Sequence, residues 1–439
     1  MFTKIKFEPF VVSQLVFKLE TFYMVLEMNM KQFTEEQRLM WQTTHDLMND
    51  VVIPWVKQNV NREWEMDPNK RLPIEMLKAI DEVGLRTIGI PEEYGGTILE
   101  PGTEAQTFSL IIYELGRADL GLADMVGIGW KLCTYYRFYM AEHLQKYWFP
   151  KIVADPTFLL AQAVTEQQGT SDRWLPYEVP ESQLKTTAVK DGDYWVINGY
   201  KIYITNGYDA QLFNVYAQTN FDNDLWEGAG CFLVPADTPG VSVARCDETL
   251  GGRFSNNGEI RFDNVRVPED HVLLKEGALG KADEVYYRPG KVMLAAKNLG
   301  IGMAAFEDTV AWCHDRVQGG VPLIEHQAVA VRLADMATRL EAVRSFTFRV
   351  AKEIDEEVPG DHERAIMLKS FVADQIIEVC RHSIELFGGS GTMLELPIQK
   401  YLRDAFMFPH MDGATDICSF RIIKALFPDT AGTYAKDLQ

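Results

Sequence analysis

The chain is poor in the residues and spacings that mark several large classes of protein. Its six cysteines, at 133, 231, 246, 313, 380 and 418, form no CxxC pair. That scatter argues against a disulfide framework or a zinc site, and points to a reducing cytoplasm. The eight histidines show no HExxH or other ligand spacing, so no protein-bound metal is expected. No run rich in Lys and Arg exists, and the formal charge is −20 with a pI near 4.9. A nucleic-acid partner is therefore not expected. Any anionic ligand must be met by a few placed cations and by backbone amides. No stretch of about 18 uninterrupted apolar residues is present, so no transmembrane helix is expected.

What remains is an ordinary globular composition, 47% hydrophobic and 24% charged over 439 residues. That is enough material for two or three domains. Residues 1–29 read as an N-terminal extension, with a basic start (Lys4, Lys6) and an apolar stretch broken by Glu8, Lys18 and Glu20. No small-residue cleavage site follows, which argues against a signal or transit peptide. A start at Met28 or Met30 is the other reading of this segment.

The hydrophobic period then divides the chain. Residues 30–157 read as helical. Thr34 can cap a helix with Glu36 and Gln37 in its first turn, and Leu77, Ile80 and Val83 recur at helical spacing. Residues 158–276 read as strands. Trp195-Val196-Ile197 and Tyr200 to Thr205 flank Asn198-Gly199, which predicts a hairpin with a type I′ turn. From 277 to 439 helices return. Arg288-Pro289 sets proline where a helix can begin, and Leu333, Met336, Leu340, Val343, Phe346 and Val350 form an apolar stripe. The order is an α domain, a β domain and a helical bundle.

Chemistry concentrates in a few polar strings. Thr165-Glu166-Gln167-Gln168-Gly169-Thr170-Ser171-Asp172 is a polar loop that offers hydroxyls and N–H groups. Tyr203 and Thr205 alternate onto one face of a strand, one aromatic and one hydroxyl. Arg316-Val317-Gln318-Gly319-Gly320 is followed by His326-Gln327. Phe387-Gly388-Gly389-Ser390-Gly391 ends a helix and bares backbone, although a helix-ending glycine is by itself a common cap. Tyr401-Leu402-Arg403-Asp404-Ala405 leads to Met411-Asp412-Gly413, a lone carboxylate between apolar residues and a glycine.

In this order and spacing, over roughly residues 30–428, these strings resemble the acyl-CoA dehydrogenase family of flavoenzymes. The family segment Thr-Glu-Pro-Gly-Ala-Gly-Ser-Asp is matched at Thr165, Glu166, Ser171 and Asp172. Its Trp-Ile-Thr-Asn-Gly is matched by Tyr203 to Gly207, and its Arg-x-x-Phe-Gly and His-Gln by Arg316 to Gly320 and His326-Gln327. The resemblance implies two α-helical domains around a β-barrel domain, with the C-terminal one a four-helix bundle. It implies non-covalent FAD, held by Thr165, Ser171, Tyr203, Thr205, Arg316, Gln318, Gln327, Gly388, Gly389 and Gly413. It implies an acyl-CoA substrate met by Arg288 and Ser171. It also implies a homotetramer in which Arg316 and the glycine turn serve a neighbouring chain's cofactor, and an electron-transfer flavoprotein as acceptor.

The family's base is a glutamate, and here the position reads Asp412. Its oxygens sit back by roughly 1 Å, a displacement of the order that costs about 100-fold in rate when uncompensated. Met411 and Phe408 suggest an apolar site that raises the carboxyl pKa, as a base needs. Glu284, one turn before Arg288, is the second candidate. Two other readings stay open. One is a flavin oxidase of another acidic C–H substrate such as a nitroalkane, against which stands Ser419, where such relatives carry arginine. The other is a FAD-binding structural or assembly factor, suggested by Glu385 and Ala414 in place of common cofactor contacts.

Overall fold

The computed structural model describes residues 28–428, except 66, 169, 176–178 and 180, and leaves aside the side chains of 173, 286 and 287. The extension expected at 1–29 lies almost wholly outside the described residues. Helix α1 (Glu35–Leu47) starts with the predicted cap: Thr34 accepts from the Gln37 N–H, and Gln37 accepts from the Thr34 N–H at 2.9 Å. Two long helices, α2 (Glu104–Ala118) and α3 (Leu120–Tyr139), form the centre of the N-terminal region, and α4 (Glu142–Ala154) leads to the strands.

The β domain is one eight-stranded sheet. Strand β1 (Leu160–Ala163) pairs in parallel with β4 (Leu212–Gln218). The main path also contains β2 (Thr187–Asp191), β3 (Tyr194–Thr205), β5 (Ala229–Pro235), β6 (Val241–Asp247), β7 (Asn257–Pro268) and β8 (Val272–Leu274), in the order β6-β7-β3-β2-β4-β5-β8. The hairpin predicted at Asn198-Gly199 is not there. β3 runs through both residues, with a register shift against β7, and the β2–β3 turn falls at 192–193. Gly199 is needed for space rather than for turning: a Cβ there would lie 2.5 Å from the Thr186 Cα.

The C-terminal region holds α5 (Arg288–Asp315), α6 (Gln327–Asp355), α7 (Asp361–Phe387), α8 (Ile398–Met407) and α9 (Thr415–Leu426). Arg288-Pro289 stands at the start of α5, as expected, but the chain is already helical before it. Helical structure begins at Ala278 and reaches Arg288 through a π-helical turn, Asp283–Tyr287. The wider turn accommodates a proline that cannot donate to the preceding ladder. Of the α6 stripe, Leu333, Met336, Leu340, Val343 and Val350 are buried and Phe346 packs against the same core.

One hydrophobic core joins the N-terminal and C-terminal helices. Helices α2 and α5 meet backbone to backbone at a pair of glycines. A Cβ on Gly116 would be 2.2 Å from the Lys297 carbonyl oxygen, and one on Gly300 would be 2.2 Å from that of Tyr113. This close crossing carries Lys297 into the middle of the molecule. Burial of this core supplies most of the driving force for docking the two helical regions.

Candidate active site

Asp412 sits in a turn between the short 3₁₀ turn Phe408–His410 and α9. Its φ is 48° and that of Gly413 is 93°. Two successive left-handed residues reverse the chain and turn the carboxylate inward. Glycine is required at the second position, since a Cβ would lie 2.4 Å from the Trp174 ring.

A cleft of about 350 Å³ opens between the β domain and the helices. Thr165, Tyr203 and Thr205 line one side, and Met411 and Asp412 the other. The simple alternation expected of Tyr203 and Thr205 is broken by a bulge between Lys201 and Ile204, with Tyr203 at φ 57°. Both residues nevertheless line the cleft, and Tyr203 is 62% exposed there. The preceding loop is held from behind. Lys201, fully buried, donates to Glu166 at 2.7 Å, and Glu166 accepts the N–H groups of Lys185 and Thr186 at 2.6 and 2.9 Å. Glu166 is therefore an anchor of the loop rather than a ligand contact.

Close backbone at Gly251 and Gly252, hydroxyls at Thr165, Thr205 and Ser255, and an exposed aromatic face suit a flavin. The Ser255 Oγ is buried without a hydrogen-bond partner among the described residues, and a polar ligand edge would satisfy it.

The surroundings of Asp412 differ from the apolar site expected. Lys131 on α3 pairs with its Oδ2 at 3.3 Å. Lys291 on α5 donates to its carbonyl oxygen, and Lys369 on α7 donates to that of Gly413. Lys297 pairs with Asp124 in the cavity beyond. Burial alone would raise the Asp412 carboxyl, but the ammonium groups of Lys131, Lys291 and Lys297 outweigh it and hold it well below the usual carboxylate range. Burial pushes Lys291 down to about 8, with Asp412 acting against that shift. None of these four lysines was expected at the site from the sequence motifs. A signal for two of them was there: Lys291 and Lys297 bracket the apolar run Val292 to Ala296.

The other predicted residues fall into separate places. Arg288 turns to Asp361 and lines a different cleft, which also holds Glu284. Glu284 is exposed and pairs with Lys281 at 2.7 Å. Neither lines the cleft that holds Asp412. Ser171 is exposed on a short turn, Thr170–Trp174, and does not line the cleft. Arg316, Gln318, Gln327, Gly388 and Gly389 are all exposed. Arg316 and Gly388 share one neighbourhood, since Trp312 lies under the Arg316 guanidinium and stacks on Phe387 at 4.5 Å.

The string Tyr401 to Ala405 is structural. Lys400, just before it, is buried and meets Glu63 at 2.9 Å, Asp119 at 2.7 Å and Asp404 at 2.6 Å. Arg403 reaches Glu63 at 2.6 Å, and Asp404 accepts the Gly252 N–H at 2.8 Å. This network ties α8 to the N-terminal helices and to the rim of the cleft.

The fold, a helical region, a β domain and a second helical region around such a cleft, is shared with known flavoenzymes. Three domain models match in order: "Acyl-CoA dehydrogenase, N-terminal domain" at residues 34–155, the middle domain at 161–265 and the C-terminal domain at 288–427. The acyl-CoA dehydrogenase of Bacillus subtilis (strain 168) is 30% identical over 397 residues, covering 90% of this chain and 99% of that protein. The short-chain specific acyl-CoA dehydrogenase, mitochondrial, of Bos taurus is 29% identical over 403 residues, 91% of each chain. Butyryl-CoA dehydrogenase from Megasphaera elsdenii superposes with a TM-score of 0.79 at 27% identity, over 90% of this chain and 98% of that one. The chain belongs to the acyl-CoA dehydrogenase family. It is an FAD-dependent oxidoreductase acting on acyl-CoA. Among the described residues no helix is long and apolar enough to cross a membrane.

Proposed function

We propose that this protein dehydrogenates a short acyl-CoA thioester between its α and β carbons, with Asp412 as the base. The observation that carries this reading is the Asp412 carboxylate on the rim shared by two cavities, one of about 350 Å³ that suits the flavin and one of about 70 Å³ beyond it. A thioester lying between them presents its α-carbon to the carboxylate. FAD held in the larger cavity would supply the two-electron oxidant for the hydride lost from the β-carbon. The α C–H bond breaks with its proton passing to Asp412, and the electron pair left behind forms the Cα=Cβ bond. Thr165 and Thr205 would hold the flavin through their hydroxyls, and Tyr203 would offer it an aromatic face. The small second cavity, and the names of two relatives, one a short-chain specific acyl-CoA dehydrogenase and one a butyryl-CoA dehydrogenase, support a short acyl group.

Arg316, Gln318, Gln327, Gly388 and Gly389 serve, in this reading, the cofactor of a neighbouring chain in a homotetramer. Their exposure away from the cleft supports that assignment. Domain limits at 30–157, 158–276 and 277–439, an electron-transfer flavoprotein as acceptor, and a cytoplasmic location belong to the same proposal. Anaerobic mixing of the FAD-loaded protein with a panel of acyl-CoAs tests it. Bleaching of the flavin by a thioester is the expected result. Bleaching by a nitroalkane alone, or by neither, would overturn it.

A further inference from the structure

Asp412 and Gly413 are consecutive left-handed residues, at φ 48° and 93°. A residue other than glycine is strained in that region, and it persists only where its surroundings fix it. Backbone pairing does not fix it here. Among the described residues no backbone N–H bonds to the carbonyl of Asp412 or of Gly413. Lysine side chains take that place. Lys291 on α5 donates to the Asp412 carbonyl, and Lys369 on α7 to the Gly413 carbonyl. Lys369 is fully buried, and its other contacts fall on the same stretch of chain. Its Nζ lies 3.5 Å from the Pro409 carbonyl oxygen and 5.9 Å from the centre of the Phe408 ring. An ammonium is costly to bury, and a methionine would fill the space without that cost. The gain lies in the carbonyl oxygens that the ammonium holds.

We propose that Lys369 is a positioning residue for the base: from α7 it holds the Gly413 carbonyl and braces the 408–410 turn, and so keeps the Asp412 carboxylate pointed into the cleft. The proposal rests on the reading of Asp412 as the base. Lys369 lines neither of the two cavities that Asp412 lines, so its influence runs through the backbone. The turn is held from two sides. The Trp174 ring packs against Gly413, close enough to exclude a Cβ, and the ammonium bonds the carbonyl of the same residue. Without the ammonium the Gly413–Ala414 peptide is free to rotate, and a glycine offers little resistance to that rotation. A carboxylate displaced by about 1 Å is enough to slow the reaction on the order of 100-fold.

The test follows anaerobic flavin reduction by butyryl-CoA in the FAD-loaded protein, with thioester binding read separately from the perturbed flavin absorbance. Lys369→Met should keep its FAD and bind the thioester nearly as tightly as the wild type, but reduce the flavin more slowly, on the order of 100-fold. The loss should sit in kcat rather than KM. Lys369→Arg keeps N–H donors for the carbonyls and should recover most of the rate. Gly413→Ala displaces the same carboxylate, so adding Lys369→Met to it should slow the reaction little further, whereas two independent effects would multiply. Should Lys369→Met fail to fold, Lys369→Gln, shorter and uncharged, repeats the measurement, and a slowed reduction with FAD and thioester binding kept is expected. In whichever variant is read, the wild-type rate, a loss confined to KM, or loss of FAD alongside activity overturns the proposal. Multiplied losses in the double variant overturn it too. A wild-type flavin that no acyl-CoA reduces overturns the dehydrogenase reading, and the proposal with it.

Discussion

Lys131 and Asp412 lie 281 residues apart in the chain and 3.3 Å apart in the fold. That one contact sets the resting state of the site, because the carboxylate is held ionised and its basicity is suppressed. The sign of its pH dependence follows. A carboxyl whose folded pKa is lowered contributes stability that is present above its ordinary value, about 3.9. That contribution is lost only as pH falls through the lowered folded value. The acid limb of kcat/KM should therefore owe nothing to Asp412 in the range of about pH 5 to 7. In Lys131→Met the carboxyl should move up, and an acid limb should enter the measurable range. A pH–rate profile of flavin reduction in both proteins checks this.

Lys291 gives the opposite edge. Burial places it near 8, so it loses its proton as pH rises through that value. The positive charge behind Asp412 then disappears and the carboxylate becomes a stronger acceptor. Flavin reduction should speed up as pH crosses about 8. The limb should be absent in Lys291→Gln, where nothing titrates. For stability, the buried ammonium is a cost below about 8 that is relieved as pH rises toward the ordinary lysine value.

Lys400 predicts a stability effect without a direct part in the chemistry. It meets Glu63, Asp119 and Asp404 in a buried cluster. Lys400→Met leaves those carboxylates without their shared cation, and removing one partner of a buried pair costs about 3–5 kcal/mol. Urea unfolding of the FAD-loaded protein should show a loss of that order. Lys400→Met paired with Asp404→Leu should lose less than the two single losses added together.

Gly413 predicts a loss of positioning. A methyl group there would meet the Trp174 ring at 2.4 Å, at a φ of 93° that side chains rarely adopt. Gly413→Ala should shift Asp412 and slow flavin reduction on the order of 100-fold. FAD content should change far less, since the cleft walls at Thr165, Thr205 and Gly252 are untouched.

The helix–strand–helix order was legible because its periods are strong, as in the α6 stripe from Leu333 to Val350. Asn198-Gly199 misled because the dipeptide serves two purposes. It makes tight turns, and here its glycine clears the Thr186 backbone inside a continuous strand. Arg288-Pro289 does mark the start of α5, but the π-turn that leads into it left no signal in the string. At the site, Thr165, Tyr203, Thr205 and Asp412 were found from local strings and do line one cleft. The lysines were not found, because Lys131, Lys291, Lys297 and Lys369 come from three helices. Only the close crossing at Gly116 and Gly300, and the docking of α7, bring them together. For the same reason the expected apolar setting of Asp412 was inverted: Met411 and Phe408 are neighbours in sequence, whereas the cations are neighbours only in space.

The central claim is that Asp412 accepts the α-proton, and rapid anaerobic mixing of Asp412→Asn with butyryl-CoA tests it most directly. Asparagine keeps the shape and cannot take the proton. The account predicts a variant that retains FAD and still perturbs its absorbance on binding thioester, but reduces it about 10²–10⁴-fold more slowly. Flavin reduction at the wild-type rate in Asp412→Asn would contradict the account.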